Sequence, residues 1–359
     1  MPQNKLDIQA TPESTAFYIE GSLQFDTRDE FIYHETLVIP AASLLSARVT
    51  RPANALVLGG GDGLALRELL KFDMFRRIDL VDYDPEVIRC GKTTFAPWNR
   101  DALYDSKVRV IVDEAQRYLH TSRKVYDLIV ADFTFPDNLA ASQLFTTAFY
   151  DLIKKRLSSK GFVTLNAISP ETSSPAYWSI FKTLASLKLH PIPLRAKIPS
   201  FISHGYGEWG FFLSSPSPVL SRELKRFRLS VPSRYLTKES LLEGMRFSKT
   251  GTALGLSLAT VLSEPSDLLC FLNMPVQAAA DHGEQIDFSK RLSAKDLRAL
   301  GIQYDLIASG MTAEWCERLI KVWLELDWEA LLSETEKNIK KGEPFYGLPS
   351  LDYTILTKN

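Results

Sequence analysis

Cysteine is scarce in this chain: Cys90, Cys270 and Cys316 lie far apart among 359 residues. They build neither a disulfide framework nor a Cys-x-x-Cys metal site, which fits a reducing, cytoplasmic setting. Charge of one sign is not in excess. Lys and Arg number 42 against 43 Asp and Glu, for a net charge of −1. Such a balance gives no footing for nucleic acid or an acidic membrane as partner. No run of about 18 apolar residues occurs, so no membrane span is predicted. The longest candidate, residues 252–262, is shorter and carries polar side chains. The leading MPQNKLDIQATPEST lacks the apolar core of a signal peptide and reads as a flexible lead. Near the other end His282 stands alone among Asp281, Glu284 and Asp287, too few ligand types for a metal site. No internal repeat is visible.

Hydrophobic residues make up 45% and charged residues 24%, the balance of a soluble globular protein of one large or two modest domains. One run is the most informative. An apolar segment, Asn54-Ala55-Leu56-Val57-Leu58, empties into Gly59-Gly60-Gly61-Asp62-Gly63, and Asp82 closes the next apolar segment. A strand, a glycine turn, a helix and then a carboxylate on the second strand is how a doubly wound domain holds a nucleoside. Gly59, Gly61 and Gly63 let the backbone turn sharply beside a ligand. Asp82 is placed to accept hydrogen bonds from ribose hydroxyls and would repel a 2′-phosphate. A dinucleotide dehydrogenase is disfavoured, because the last glycine of its fingerprint falls at Leu64.

Short β-rich apolar runs at 55–58, 78–81, 108–112, 128–131 and 162–165 read as buried parallel strands. Helical patterns lie between them, near 65–71, 85–93, 115–119, 145–157 and 175–187. Asp84-Pro85 is an N-cap followed by proline at the first helical position. Lys160-Gly161 reads as the loop between a helix and a strand. Residues 209–214 read as a last strand that could run antiparallel. Residues 16–40 alternate apolar and polar side chains around Glu20-Gly21-Ser22 and predict a β-hairpin with a following strand or turn. The expected fold is a Rossmann-like, methyltransferase-type α/β sheet with a short N-terminal β-hairpin region and a mainly helical C-terminal extension. Its expected units are 1–45, a nucleoside-binding catalytic domain at 46–220, and an extension at 221–359. From Ser215 a Ser/Pro-rich basic stretch reads as a linker or surface strap. Helical patterns follow at 237–246, 293–300 and 312–341, where Trp315, Leu319, Trp323 and their neighbours suit a core or dimer interface. Gly59, Asp82, Asp113-Glu114 and Asp132 all fall at carboxyl ends of predicted strands, the rim where such sheets bind ligands.

Several segments resemble spermidine synthases, the polyamine aminopropyltransferases. They are Gly21–Glu35 with its Leu23-Gln24-Phe25, Arg28-Asp29-Glu30 and Tyr33-His34-Glu35, then Gly59–Gly63, Leu80–Ile88, the strand ending in Asp132, and Gly207-Glu208-Trp209-Gly210-Phe211. The likeness covers about residues 17–250 and is nearest to the soluble domain of bacterial membrane-type members. It implies transfer of an aminopropyl group from decarboxylated S-adenosylmethionine to an amine, with release of methylthioadenosine and no metal. The acceptor amine, with a pKa of about 10, is protonated at pH 7 and must lose a proton before it attacks. On the family pattern Asp132 takes that proton, helped by Tyr33. Asp62 holds the donor's ammonium, Asp82 the ribose, and Asp113 and Glu114 face the adenine, with Gln24 and His34 bordering the nucleoside. A homodimer is implied.

Departures gather on the acceptor side. Members carry a second aspartate three residues after the one at Asp132, and here that position is Phe135. Asn166 replaces a glutamine, Phe201 a tyrosine, residues 202–206 look inserted before Trp209, and Asp113-Glu114 replaces Gly-Asp. Losing a carboxylate from an amine site removes a charge-assisted bond of roughly 1.5–3 kcal/mol. The expected acceptor is therefore an amine or amino acid other than a plain diamine. Two other readings stand beside this one. The scaffold could use intact S-adenosylmethionine for aminocarboxypropyl transfer, cyclisation or methyl transfer, although Asp62 would meet the donor carboxylate as a like charge. It could also be a non-catalytic nucleoside-binding protein, for which Asp132 and Tyr33 would be superfluous.

Overall fold

Strand β4 (Ala53–Gly59) is apolar almost throughout, and only a strand covered on both faces keeps such a run from water. Its side chains divide with a period of two. Ala55 and Val57 enter one core cluster, while Leu56 and Leu58 enter another on the opposite face. The computed structural model describes residues 5–248, 256, 259–272 and 344–346.

Three strands precede β4: β1 (Leu6–Ala10), β2 (Thr15–Ile19) and β3 (Ser22–Asp26). They form an antiparallel sheet of their own. After β4 come β5 (Phe75–Asp82), β6 (Val108–Val112), β7 (Tyr126–Asp132), β8 (Leu157–Asn166), β9 (Ile192–Ala196) and β10 (Trp209–Ser214). The main sheet has the order β6-β5-β4-β7-β8-β10-β9. β4 pairs in parallel with both β5 and β7, whereas β10 runs antiparallel to β8 and β9. The winding direction reverses between β4 and β7, and that is where a crevice opens at the carboxyl ends.

The helices that frame this crevice are α1 (Glu30–Arg48), α2 (Leu64–Leu70) and α3 (Pro85–Lys92). Asp84 caps α3 by accepting from the Glu86 N–H at 2.9 Å, with Pro85 at the first position as expected. α1 lies across one face of the sheet, with Leu37, Val38, Ala41 and Leu45 fully covered. The hairpin docks through Phe17 and Phe25, each with its ring centroid 5.0 Å from that of Phe95. Among the described residues no helix is long and apolar enough to cross a membrane.

Four expectations need correction. The lead is not all flexible, since Leu6–Ala10 pairs with β2 and packs Leu6 and Ile8 beside the Phe17 cluster. The segment after the hairpin is neither strand nor turn but α1, which also runs unbroken past residue 45. Its alternation misleads because it is buried on nearly every side. Lys160-Gly161 lies within β8, beside a register shift between Tyr126 and Leu128 of β7. Ile192–Ala196 is an additional strand. The helical patterns at 293–300 and 312–341 and the His282 cluster lie outside the described residues.

Candidate active site

The glycine turn exists because two backbones approach there. Gly59 sits directly opposite Asp132 in the β4–β7 pairing. It has φ +78°, and a Cβ on it would lie 2.1 Å from the Asp132 carbonyl oxygen. A Cβ on Gly61 would lie 2.8 Å from Asp82 Oδ2, which accepts the Gly61 N–H at 2.9 Å. The other Asp82 oxygen accepts from the Asp84 N–H at 2.9 Å. Burial pushes the Asp82 carboxyl up to about 6 although both N–H groups oppose the shift. Asp62 Oδ1 accepts from Leu64 N–H at 2.7 Å at the start of α2. Asn99 pins the turn from outside, donating from Nδ2 to the carbonyls of Asp62 at 2.6 Å and Gly91 at 2.7 Å.

Helix α1 supplies the second half of the site. The Tyr33 hydroxyl donates to Asp132 Oδ1 at 2.6 Å across 99 residues of sequence. Burial, then the Asp132 charge, raises the phenol well above its ordinary pKa, so Tyr33 stays a donor. His34, Asp62 and Asp132 bring ligand-type atoms within 4.8 Å of one another. Both aspartates are partly exposed within otherwise buried surroundings. Burial lifts Asp62 to about 6, with the His34 charge opposing and the Asp132 charge adding to it. Burial raises Asp132 as well, against the pull of His34 and the Tyr33 hydrogen bond. Burial depresses the His34 imidazole, but Glu30, then Asp62 and Asp132, outweigh it and raise its pKa. A metal ion on this trio would need His34 neutral, whereas its partners favour the imidazolium.

Behind His34 stands a charged layer. His34 Nδ1 meets the Glu30 carbonyl at 2.7 Å and Glu30 Oε2 at 2.9 Å. Arg67 forks onto the same carboxylate at 2.7 and 2.9 Å and also meets Glu68 at 2.8 Å. Burial would raise the Glu30 carboxyl, but His34 and Arg67 hold it down at about 2. A cavity of about 280 Å³ lies beside this layer, bordered by Arg67, Lys71, Trp98, Arg100 and Arg234.

An aromatic wall continues from Tyr33. Its ring lies 6.0 Å from Phe201, Phe201 lies 5.1 Å from Trp209, and Trp209 lies 6.3 Å from Phe135. Tyr206 closes the group at 5.6 Å from Phe201, and its hydroxyl accepts from the Leu23 N–H at 3.0 Å. The segment 202–206 thus fastens the wall to the hairpin. Asn166 clasps the backbone after β7, accepting from Phe133 N–H at 3.2 Å and donating to its carbonyl at 2.7 Å.

Tyr33, His34, Asp62, Asp82 and Asp132 are thus brought together at the carboxyl edge, with Phe135, Asn166, Phe201 and Trp209 beside them. The Asp113 N–H donates to the Asp82 carbonyl at 3.1 Å, while the Asp113 side chain is taken by Arg117. Glu114 is the residue before the helix at Ala115–Thr121. Gln24 turns its amide onto the Ser22 carbonyl at 2.9 Å, within its own hairpin. Sequence reading missed Glu30 and Arg67. The available signal was the four-residue spacing from Glu30 to His34, one helical turn.

The chain belongs to the spermine/spermidine synthase family, whose domain model matches residues 30–220. Polyamine aminopropyltransferase 2 of Ralstonia nicotianae is 34% identical over 249 residues, 69% of this chain and 47% of that protein. Polyamine aminopropyltransferase of Leptospira interrogans is 39% identical over 204 residues, 56% of this chain and 39% of that protein. The chain spans about half the length of the curated relatives it matches. The crystal structure of spermidine synthase from Thermotoga maritima shares the fold, with TM-score 0.59 and 21% identity over 68% of this chain and 81% of that one.

Proposed function

We propose that this protein is an aminopropyltransferase that uses decarboxylated S-adenosylmethionine and an amine and releases methylthioadenosine. One observation carries the reading. A half-open cluster of two carboxylates with raised pKa values, Asp62 and Asp132, faces the nucleoside edge, and Asp132 takes a 2.6 Å hydrogen bond from Tyr33. Such a cluster calls for cationic ligands and for a proton to accept. The decarboxylated donor brings a sulfonium and an ammonium, and the acceptor brings a second ammonium.

The step follows from these groups. Asp132 accepts a proton from the acceptor ammonium, and Tyr33 holds that carboxylate in register. The freed nitrogen lone pair attacks the propyl carbon bonded to sulfur. The new N–C bond forms as the C–S bond breaks, and sulfur keeps the electron pair and leaves neutral. No acid is needed for the leaving group. The attacking nitrogen sheds its extra proton to solvent. Asp62 holds the donor's ammonium, Asp82 the ribose, Asp113 and Glu114 the adenine side, and Gln24 and His34 the nucleoside border. Phe135, in place of a second carboxylate, supports an altered acceptor site. The proposed working form is a cytoplasmic homodimer whose catalytic unit is the 46–220 domain together with α1, which carries Tyr33 and His34.

Mass spectrometry of the nucleoside released from decarboxylated and intact donor, with and without an amine panel, tests the reading. Amine-dependent methylthioadenosine from the decarboxylated donor is expected. The Asp132→Asn variant should lose about 100-fold or more in kcat while still binding methylthioadenosine. Near wild-type turnover in that variant would remove Asp132 from its role. Methylthioadenosine from intact donor without an amine, or S-adenosylhomocysteine, would replace the reading.

A further inference from the structure

We propose that the cavity beside the charged layer is a binding site for a small phosphate monoester, and that Arg67 and Glu30 carry the ligand's charge to His34. The lining is the starting point. Four cations, Arg67, Lys71, Arg100 and Arg234, stand there against two carboxylates, Glu30 and Glu68, which leaves two positive charges in excess. Glu35, 3.7 Å from Lys71, is wholly buried and already receives three backbone N–H groups.

The excess sits at the mouth. Glu30 and Glu68, at the floor, are 2% and 1% exposed. Both are held by Arg67, and Lys71 adds a contact to Glu68 at 2.5 Å. Arg100 and Arg234 are exposed, and neither guanidinium has an ion-pair partner among the described residues. Their backbones are fixed all the same. The Arg100 N–H donates to the Ala96 carbonyl, and the Arg234 N–H donates to Glu35 at 2.6 Å. The Arg234 guanidinium rests 3.7 Å from the centroid of the Phe31 ring. Two positioned forks over one pocket suit a dianion with several acceptor oxygens, because a guanidinium meets phosphate through paired N–H groups. Pro97, Trp98 and Pro232 complete the lining and offer an organic body an apolar surface. A volume of about 280 Å³ falls at the small end of ligand pockets and admits a small molecule.

The floor leads to the candidate active site. Arg67 forks onto Glu30, and Glu30 Oε2 meets His34 Nδ1 at 2.9 Å. A dianion beside Arg67 adds negative potential there and draws on the guanidinium that Glu30 shares with His34. Both effects favour the imidazolium.

Phenyl phosphate and inorganic phosphate are the probes, titrated calorimetrically into the full chain. Phenyl phosphate is expected to saturate with a Kd of roughly 1 mM or tighter and to bind better than inorganic phosphate. Arg100→Gln and Arg234→Gln should each weaken it about 10-fold, the lower end for one charge-assisted bond because both side chains are exposed. Histidine NMR should show His34 titrating at higher pH once phenyl phosphate is bound. Added methylthioadenosine should not displace the probe. No saturation, or undiminished binding in the double variant, would overturn the site. Displacement by methylthioadenosine would move the anion to the glycine edge and overturn it equally. Inorganic phosphate binding as well as phenyl phosphate would overturn the monoester, and an unmoved His34 would overturn the link. None of these readouts depends on aminopropyl transfer.

Discussion

Replacing Glu30 by Gln tests whether the charged layer behind His34 is structural, electrostatic or both. Glu30 is 2% exposed, and Arg67, its partner at 2.7 and 2.9 Å, is 8% exposed. Removing one member of a buried pair leaves the other charge uncompensated, at roughly 3–5 kcal/mol. Glu68 still meets Arg67 at 2.8 Å, which points to the lower end. An independent route uses titration. The Glu30 carboxyl sits at about 2 when folded against 4.5 as the reference, a displacement equivalent to about 3 kcal/mol. The two agree. The sign is that of a depressed carboxyl. The stabilisation is fully present above about pH 4.5 and is lost as pH falls toward 2. Urea unfolding at pH 7 should show Glu30→Gln less stable by about 3 kcal/mol, with the gap to wild type narrowing below pH 4.5. Histidine NMR should show the His34 pKa falling, since burial would act without its chief opponent. A loss under about 1 kcal/mol at pH 7, or an unmoved His34, would refute the reasoning.

Gly59→Ala should abolish the site, because its Cβ would lie 2.1 Å from the Asp132 carbonyl oxygen at φ +78°; circular dichroism and methylthioadenosine binding read the outcome, and retained binding counts against the close approach. Asp62→Asn should stabilise the free protein at pH 8 by on the order of 1–3 kcal/mol. Its carboxyl is raised from 3.8 to about 6, so the cost of ionisation grows across that window and stays constant above it. Urea titrations at pH 8 and pH 4 should show the gain at the first and not the second. Finally, kcat/KM should fall as pH drops through about 6, where Asp62 takes up a proton; burial raises Asp132 as well. Activity held down to pH 4 would mean that neither carboxylate needs to be ionised.

The parallel sheet was legible because β4, β5 and β7 are buried on both faces and announce themselves as apolar runs. The glycine-and-aspartate edge of the sheet was legible for a different reason: glycine where backbones nearly touch, and aspartate where a strand stops. α1 was not legible. Residues 32–45 are all buried, so no polar face marks the 3.6-residue period, and Pro40 within the helix argues against one. β9 was hidden by Pro193, which is tolerated because the strand lies at the sheet edge. Glu30 lies in a segment that reads as hairpin and turn, and Arg67 in a separate helical pattern, so nothing local sets them against each other. Only the fold turns them inward onto each other. The aromatic wall draws on positions 33, 135, 201, 206 and 209, and no local pattern joins positions so far apart.

Glu35, wholly buried on α1, has a consequence for where this molecule can be cut. Its carboxylate receives the backbone N–H groups of Arg234 at 2.6 Å, Tyr235 at 2.8 Å and Leu236 at 3.0 Å. Arg48, at the other end of α1, is held by Glu223 at 2.7 Å and by the carbonyls of Ser217 and Pro218. The family domain match stops at residue 220. A fragment trimmed there would strand an interior anion beneath a missing lid and strip the helix that carries Tyr33 and His34 of its outer brace. The smallest autonomous piece of this fold therefore reaches at least to Leu236, beyond the border that kinship alone would draw.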